Sequence, residues 1–324
     1  MGSNPPGLTW ALIEAARTRI APLIKATPVL TSATLDAQAG ARLFFKCENL
    51  QKGGAFKARG ASNAVFSLPE AQVRRGVATH SSGNHAAALA RAAHLRGVPA
   101  YIVMPQNAPL AKRAAVERLG ARITLCEPTQ AARERAAAEL IAATGAVLIH
   151  PYDDLAVMAG QATVAVELLE QVPDLDLVLA PVSGGGLLSG IAVATRTLRP
   201  NAQVVGVEPE GADDAARSLR AGHIVPCESP QTIADGLRAT VGVRPFEEIR
   251  RYVADIVTVP DAAIVTAMRS LWEIMKLVVE PSGATAYAAV AAGRIEVRGK
   301  RVGVVLSGGN VDLDSLPWIT RARE

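Results

Sequence analysis

A lysine among small and apolar residues is the first candidate for chemistry in this chain. Lys57 lies in the segment 53–61, which reads Gly-Gly-Ala-Phe-Lys-Ala-Arg-Gly-Ala. An amine that loses its contacts with water has a lowered pKa, and a neutral amine is the nucleophile that Schiff-base chemistry requires. A solvated surface lysine is the ordinary alternative. Composition by itself leaves both interpretations open.

A run of consecutive glycines follows an apolar, strand-like stretch. It comprises Ser183, Gly184, Gly185, Gly186 and Leu187. Glycines let the backbone approach a phosphate closely, and N–H groups at the start of a helix bind anions. The spacing does not match the dinucleotide pattern GxGxxG, and no lysine follows as in a P-loop. We predict a phosphate site here, with a flexible connection as the alternative.

Two further polar turns follow predicted strands. The first runs through Ser81, Ser82, Gly83, Asn84 and His85. N–H donors at such a helix start could bind a carboxylate. Ser and Asn are also common N-cap residues, and the spacing alone favours a simple cap. The second turn, Gly-Gly-Asn after Ser307, is by itself ordinary turn chemistry.

The elements that must position these turns follow an alternating pattern. Short apolar runs alternate with longer Ala-, Leu- and Arg-rich stretches, which is typical of βα units and a parallel sheet. The predicted strands are 43–48, 77–80, 100–104, 122–126, 146–150, 175–181, 203–208, 255–259 and 301–306. The predicted helices include 84–96, 112–119, 129–144, 160–170 and 188–199. We expect an open α/β sheet with the turns at the carboxyl ends of its strands, where ligands bind.

Composition excludes several classes of protein. The chain has 324 residues, of which 49% are hydrophobic, so it can build a large core. Its net charge of +4 comes from scattered residues, which predicts no nucleic-acid partner. The three cysteines lack zinc-site spacing and are interpreted as reduced cytosolic thiols. Neither a signal peptide nor an apolar run of about 20 residues is present, which predicts a cytoplasmic protein without a membrane partner.

The four motifs together carry a family resemblance. The Lys57 segment, the turn 81–85, the glycine run 183–187 and the turn 307–310 occur in this order. They resemble the fold type II pyridoxal-phosphate (PLP) enzymes of the serine/threonine dehydratase and serine racemase group, over nearly the whole chain. The resemblance implies α/β architecture with two open, twisted, mostly parallel sheets flanked by helices. It also implies a large cofactor-binding domain (1–75 and 152–324), a small mobile substrate domain (76–151) and a homodimer.

The resemblance implies cofactor roles for matched residues. Lys57 would hold PLP through its amine and act as the base at the substrate Cα, with Phe56 beside the cofactor. Asn84 would bond the ring hydroxyl of the cofactor, and Ser307 would face its pyridine nitrogen. The phosphate would bind the backbone N–H groups of Gly184, Gly185, Gly186 and Leu187. A neutral hydroxyl opposite the ring nitrogen weakens the electron sink, which favours prompt loss of a β-leaving group over transamination.

The substrate would lie against the turn after the first strand of the small domain. The residues implied are Ser81, Ser82, Gly83, Asn84, His85 and, from a predicted helix, Arg133. In the racemase-like members, the residue that matches Ser82 works on the opposite face of Cα from the lysine. Ser82 is therefore a second candidate catalytic residue, and an amino-acid racemase is the alternative function. A non-catalytic ligand-binding module and a β-replacement enzyme are further alternatives.

Three departures from serine racemases bear on the substrate. Ala55 and Ala239 stand where serines are usual, and Tyr152 stands where an Asn-containing turn is expected. The Gly-Ala-Phe-Lys form, the His-Pro-Tyr turn and the segment 308–314 look more similar to 3-hydroxyaspartate dehydratases of the same group. A second substrate carboxylate would need a cation or donor, for which His85 and Arg133 are candidates. We predict dehydration and deamination of a small 3-hydroxy amino acid (3-hydroxyaspartate, threonine or serine) to a 2-oxo acid and ammonia.

A divalent cation is also implied. In the racemase-like branch, residues that match Glu208, the carbonyl of Ala212 and Asp214 bind it. Hard carboxylate and carbonyl oxygens suit Mg²⁺ or Ca²⁺. The alternative is that these acidic residues simply stabilise the start of the following helix.

Overall fold

Two separate β-sheets organise the chain. The computed structural model describes residues 7–81, 83–108 and 110–319, apart from the side chains at positions 111, 112, 115 and 130. The strands are β1 (Val29–Leu30), β2 (Arg42–Cys47), β3 (Val77–His80), β4 (Ala100–Pro105), β5 (Arg122–Cys126), β6 (Val147–Leu148), β7 (Leu177–Pro181), β8 (Gln203–Pro209), β9 (Asp255–Val259) and β10 (Arg301–Leu306).

Helices connect these strands along most of the chain. The α-helices are α1 (Trp10–Ile20), α2 (Ala33–Ala39), α3 (Lys57–Ser67), α4 (Glu70–Val73), α5 (Asn84–Arg96), α6 (Leu110–Glu117), α7 (Gln130–Thr144), α8 (Leu155–Gln171), α9 (Gly186–Leu198), α10 (Asp214–Ala221), α11 (Val243–Tyr252), α12 (Asp261–Met275) and α13 (Pro281–Ala291). Within the described residues, no helix is both long enough and apolar enough to cross a membrane.

The six-stranded sheet has the order β1-β2-β10-β7-β8-β9. β1 is antiparallel to β2, and the other pairs are parallel. Every residue of β7 is buried, as expected for a parallel sheet covered on both faces. Successive β7 residues point to opposite faces, so that Val178 packs into one apolar cluster and Leu177 and Leu179 into the other. The sheet is therefore a rigid support with a core on each side.

The four-stranded sheet has the order β5-β4-β3-β6, and all of its pairs are parallel. Its strands lie between Val77 and Leu148, and its core includes Ile102 and Leu89. The predicted α/β class with two mostly parallel sheets is confirmed. The division into two domains at 76 and 151 stays a prediction.

Several element boundaries differ from those predicted. β3, β5, β9, β10 and α5 begin and end where expected, whereas the predicted strand 146–150 forms only Val147–Leu148. α8 begins at Leu155 instead of 160, because Asp154 caps it by accepting hydrogen bonds from Ala156 N (2.7 Å) and Val157 N (3.0 Å). β1 was not predicted, since two residues are too few to show an apolar period.

A close helix crossing fixes the helix that carries Lys57. A Cβ added to Gly160 of α8 would lie 2.6 Å from Gly60 Cα of α3, so that only glycine permits this approach. Beside the crossing, the fully buried Arg59 uses all its N–H groups. They donate to both oxygens of Glu48, both oxygens of Glu167 and the hydroxyl of Thr163. Packing and an ion network therefore hold α3 in place.

Candidate active site

Lys57 is the first residue of α3 and is partly buried. Its Nζ donates a 2.8 Å hydrogen bond to the carbonyl oxygen of Pro151 and lies 5.1 Å from the centre of the Phe56 ring. Loss of water contacts lowers the pKa of this amine to about 8. The structure thus favours the desolvated lysine over the solvated surface residue. About a tenth of the amine is therefore neutral, and nucleophilic, at pH 7, far more than for an exposed lysine.

Ser307 directly follows the last strand, β10, and lies beside the Lys57 segment. Phe56 N donates to Ser307 O (3.0 Å), and Gly309 N donates to Gly54 O (2.9 Å). The buried Ser307 hydroxyl donates to Ser282 O at 3.3 Å. A turn that was uninformative by sequence is therefore joined to the lysine by backbone hydrogen bonds.

Asn84 is the first residue of α5, and its side chain turns away from the helix end. Its Nδ2 donates to Glu280 Oε1 (2.7 Å), and its Oδ1 accepts from Asn310 Nδ2 (2.9 Å). The N-cap is Gly83, which has no capping side chain, so the expectation of an ordinary side-chain cap is wrong. Ser81 Oγ accepts a hydrogen bond from Gly83 N at 3.4 Å. Ser82, the second candidate catalytic residue, lies outside the described residues.

The glycine run lies between β7 and α9. A Cβ on Gly184 would overlap the ring of Tyr152, and Gly185 has a φ of 87°, which favours glycine. α9 begins at Gly186, so the N–H groups of Gly186 and Leu187 belong to its unpaired first turn. These residues leave no space for side chains and present unpaired N–H groups, which is the geometry of an anion cradle. The geometry favours the predicted phosphate site over a flexible connection.

Aromatic and imidazole rings form a wall beside Lys57. His80 and His150 are 5.7 Å apart between ring centres, and His150 and Tyr152 are 4.6 Å apart, both edge to face. Burial, followed by the proximity of His80, lowers the pKa of His150 to about 4. Its Nδ1 accepts a hydrogen bond from Asp153 N at 2.9 Å, as a neutral ring can. The wall therefore carries no positive charge at neutral pH.

Arg133 supplies a cation close to this wall. Its charge, after burial, lowers the pKa of His80, and it also acts on the Tyr152 phenol. Arg133 Nε is buried and has no hydrogen-bond partner within the described residues. A buried donor without an acceptor is costly, and a bound anion would satisfy it. Arg133 therefore has the position and the free donor that a substrate carboxylate needs.

His85, the other candidate for the second carboxylate, does not supply a charge. It is buried, its Nε2 is 3.3 Å from Ile149 O, and its Nδ1 has no partner within the described residues. Burial, with a contribution from Lys57, holds its pKa well below the usual range. The ring is neutral, so His85 would serve a carboxylate as a hydrogen-bond donor and not as a cation, and its role stays a prediction.

Glu208 and Asp214 lie behind the glycine run. The buried Glu208 carboxylate accepts hydrogen bonds from Ala215 N (3.2 Å) and Ala216 N (2.9 Å). Asp214 Oδ2 accepts from Val241 N (2.9 Å), whereas its Oδ1 is buried without a partner in the described part of the chain. Burial, then the proximity of Asp214, raises the pKa of Glu208 to about 9. The orphaned oxygen and the mutual repulsion fit a divalent cation.

The cation site is not a dense cluster of protein ligands. Within the described residues, no group of three or more His, Cys, Asp or Glu side chains could hold a metal. Ala212, whose carbonyl is the third candidate ligand, is buried in a 3-10 turn, Glu210–Ala212, between the two acids. Any cation here would need the carbonyl and water as further ligands.

These elements fit pyridoxal phosphate. The cofactor requires an amine to bind its aldehyde, an anion site for its phosphate and a ring to pack against. Lys57 has the lowered pKa, the cradle at Gly184 excludes any side chain, and Phe56 stands next to the amine. A fold type II PLP enzyme is the class of protein that this fold and site define.

Comparison with known proteins gives the family. Residues 20–308 match the family of pyridoxal-phosphate dependent enzymes. The chain is 50% identical to a β-hydroxyaspartate dehydratase of Paracoccus denitrificans (strain Pd 1222), with 96% of this chain and 98% of the relative covered. It is also 50% identical to a serine racemase of Arabidopsis thaliana, over 94% and 93% of the two chains. The structure of maize serine racemase matches with a TM-score of 0.94, 47% identity and 95% of each chain covered.

The chain therefore belongs to the pyridoxal-phosphate dependent enzymes. The predicted family, the use of PLP and the general activity, that of a dehydratase or ammonia-lyase enzyme, are confirmed. The roles of individual residues stay predictions, although the structure brings Lys57, Phe56, Asn84, Ser307 and the glycine run into one place.

Sequence reasoning missed parts of the site. His80 ends β3 and His150 follows β6, so the rule that ligands bind at the carboxyl ends of strands could have found both. Glu280, which accepts the hydrogen bond of Asn84, is the N-cap residue before Pro281 and looked like an ordinary helix start. Tyr152 was noted as a departure from the racemase pattern and as part of a turn similar to that of 3-hydroxyaspartate dehydratases, but no contact was predicted for it.

Proposed function

We propose that this chain is a dehydratase that converts 3-hydroxyaspartate to the corresponding 2-oxo acid and ammonia. The observation that carries the proposal is the buried, unpartnered Nε of Arg133, which lies at a wall of neutral rings beside Lys57. A cation with a free donor suits a substrate with a second carboxylate. The name of the Paracoccus denitrificans relative supports the same substrate.

The residues divide the chemistry between them. When bound, the cofactor supplies an electron sink for the charge that develops at the substrate Cα. Lys57 Nζ takes the Cα proton, because burial gives it a pKa of about 8 and keeps part of it neutral. The Cβ–O bond then breaks, and the hydroxyl leaves as water with one proton. The released enamine becomes an imine, which adds water and loses ammonia, so that the net reaction needs no oxidant.

Two groups of hydrogen-bond donors would fix the orientation of the substrate. The α-carboxylate would bind at the start of α5, where Ser81, Ser82, Gly83 and Asn84 precede or begin a helix with unpaired N–H groups. The second carboxylate would bind Arg133. Held at both ends, the substrate would present its Cα proton to Lys57.

A divalent cation, Mg²⁺ or Ca²⁺, would bind Glu208, Asp214 and the Ala212 carbonyl. It would neutralise two carboxylates whose pKa values burial raises, and it would occupy the free oxygen of Asp214. Because Val241 donates to Asp214 and Ala239 donates to Ser183, this site would stabilise the backbone behind the glycine run. Its role would be structural support of the cradle.

A cytoplasmic homodimer is part of the same proposal. The three cysteines, Cys47, Cys126 and Cys227, are free thiols, as a reducing compartment requires.

Serine racemisation is the second candidate function, favoured by the racemase relative at 50% identity. Removal and return of the Cα proton by groups on opposite faces would replace loss of the hydroxyl.

A substrate panel tests the proposal. The purified enzyme would be given each stereoisomer of 3-hydroxyaspartate, L- and D-serine and L-threonine, and the release of 2-oxo acid and ammonia would be measured. We expect one hydroxyaspartate isomer to be strongly preferred, and Lys57→Ala to abolish the reaction. If the enzyme interconverts L- and D-serine and releases no 2-oxo acid from any substrate of the panel, the proposed dehydratase function fails and the racemase function takes its place.

A further inference from the structure

Tyr152 joins the two sheets at the site. It follows β6 of the four-stranded sheet, yet its ring covers Gly184 of the six-stranded sheet so closely that a Cβ there would overlap it. Its main-chain oxygen would lie 3.0 Å from a Cβ on Gly186. The ring also packs edge to face with His150, with 4.6 Å between the ring centres. The ring is thus fixed between the glycine cradle and the neutral wall.

The surroundings of Tyr152 include charges of both signs. Burial is the main cause that raises the pKa of the phenol to about 12, with Asp153, Asp214 and Glu134 acting in the same direction. The Arg133 guanidinium acts in the opposite direction. The phenol therefore keeps its proton at neutral pH and is a permanent hydrogen-bond donor. Within the described residues, its hydroxyl makes no hydrogen bond, so this donor is available.

We propose that the Tyr152 hydroxyl and the Arg133 guanidinium together bind the second carboxylate of a dicarboxylic substrate, which makes Tyr152 a specificity-determining residue. The inference rests on the proposed function and names a residue that determines its substrate class. Arg133 lies on α7, which packs against β3, the strand whose last residue, His80, begins the wall. Its Nε is buried without a partner within the described residues, its charge acts on the Tyr152 phenol, and Tyr152 itself is part of the wall. The two oxygens of one carboxylate can accept from both donors.

The site would discriminate against monocarboxylic substrates, because they leave its two hydrogen-bond donors without an acceptor. Serine or threonine would place no anion between Arg133 and Tyr152, so both donors would lose water contacts without gaining an acceptor. A site built to hydrogen-bond a substrate group rejects the analogue that lacks the group.

Tyr152→Phe separates this role from packing, because it keeps the ring over Gly184 and removes only the hydroxyl. We expect KM for the preferred hydroxyaspartate isomer to rise about tenfold, as for a lost hydrogen bond to a charged group. KM for serine should change less than about twofold on the same reasoning. Tyr252→Phe, at a half-exposed position of α11, is the matched control and should change neither. An equal rise for both substrates, or none, would overturn the inference.

A binding measurement separates this inference from the proposed function. Succinate, a four-carbon dicarboxylate without the reacting groups, should raise the Tm of the wild-type holoenzyme and raise that of Tyr152→Phe much less. In Arg133→Ala, the added Tyr152→Phe change should have a smaller effect than in wild type, since the two donors share one anion. If no substrate yields a 2-oxo acid while succinate still distinguishes the variants, the proposed reaction fails and the carboxylate site stands. If succinate binds both proteins equally, the carboxylate site fails.

Discussion

The Lys57 amine and the Pro151 carbonyl oxygen are joined by a 2.8 Å hydrogen bond that spans 94 residues of sequence. Lys57 begins the helix that packs against α8, and Pro151 follows the last strand of the four-stranded sheet. The nucleophile of the site therefore lies where the two sheets meet. Any change in the position of Pro151 changes the hydration of the amine, and thereby its pKa.

The first prediction concerns the pH at which the apoenzyme takes up its cofactor. A buried lysine with a pKa of about 8 is mostly neutral above that pH, whereas an exposed lysine is neutral only above about 10.4. The rate of PLP capture should therefore rise with pH and level off above about 8. Stopped-flow absorbance of the bound cofactor would measure it, with Lys57→Ala as a control that captures none. A rate that still rises at about pH 10 would identify a solvated amine.

The second prediction concerns the glycine cradle. In Gly184→Ala the new methyl group meets the Tyr152 ring, so either the ring or the loop must move. We expect weaker PLP binding, by about tenfold or more, since even about 1.4 kcal/mol of strain has that effect. Equilibrium dialysis of PLP would test it, and circular dichroism of the apoprotein would check that the variant is folded. Unchanged affinity in a folded variant would place the phosphate elsewhere.

The third prediction concerns the ion network under α3. Arg59→Ala would leave the buried Glu48 and the partly buried Glu167 without their shared partner. The loss should be about 3–5 kcal/mol of the free energy of unfolding. Urea denaturation would measure it. The exposed pair Arg269–Glu273 is the control, because Arg269→Ala should cost less than about 1 kcal/mol; similar losses in both variants would argue against a structural role of the network.

The fourth prediction concerns the divalent cation. If Glu208 and Asp214 bind it, chelation should lower the Tm of the wild-type enzyme. Saturation at about 100 times Kd stabilises a protein by about 2.7 kcal/mol. Asp214→Asn should make the Tm insensitive to chelator and to added Mg²⁺. Asp213→Asn removes the partly exposed partner of Arg217 but neither proposed carboxylate ligand, so this variant should keep the sensitivity. If chelation leaves the Tm of the wild-type enzyme unchanged, no cation is bound at this site.

Much of the fold could be predicted from the sequence, because many of its strands and helices are determined by local patterns of apolar residues. β3, β5, β9 and β10 are short apolar runs bounded by polar or turn residues, and α5 is a continuous Ala-rich stretch that ends at Gly97. The glycine run is equally local, since positive φ and the start of a helix are properties of neighbouring residues. The family followed because four such local motifs keep their order along the chain.

Other features depended on residues that are distant in sequence. Burial beside Pro151 sets the pKa of Lys57, and burial, with Lys57 acting in the same direction, makes His85 neutral. The Arg133 Nε is free because no acceptor within the described residues reaches it. None of these follows from spacing, because desolvation is a property of the assembled interior.

The sequence by itself therefore determined the fold class, the family and the order of the site motifs. Only the tertiary structure decided which polar groups are charged and which stay unpaired: it made His85 neutral and left the Arg133 Nε without a partner within the described residues. It also showed that the Tyr152 ring contacts both Gly184, which follows a strand of the six-stranded sheet, and His150, which follows a strand of the four-stranded sheet. The physical reason is that secondary structure responds to short-range patterns, whereas charge and hydrogen-bond satisfaction respond to all neighbours in space.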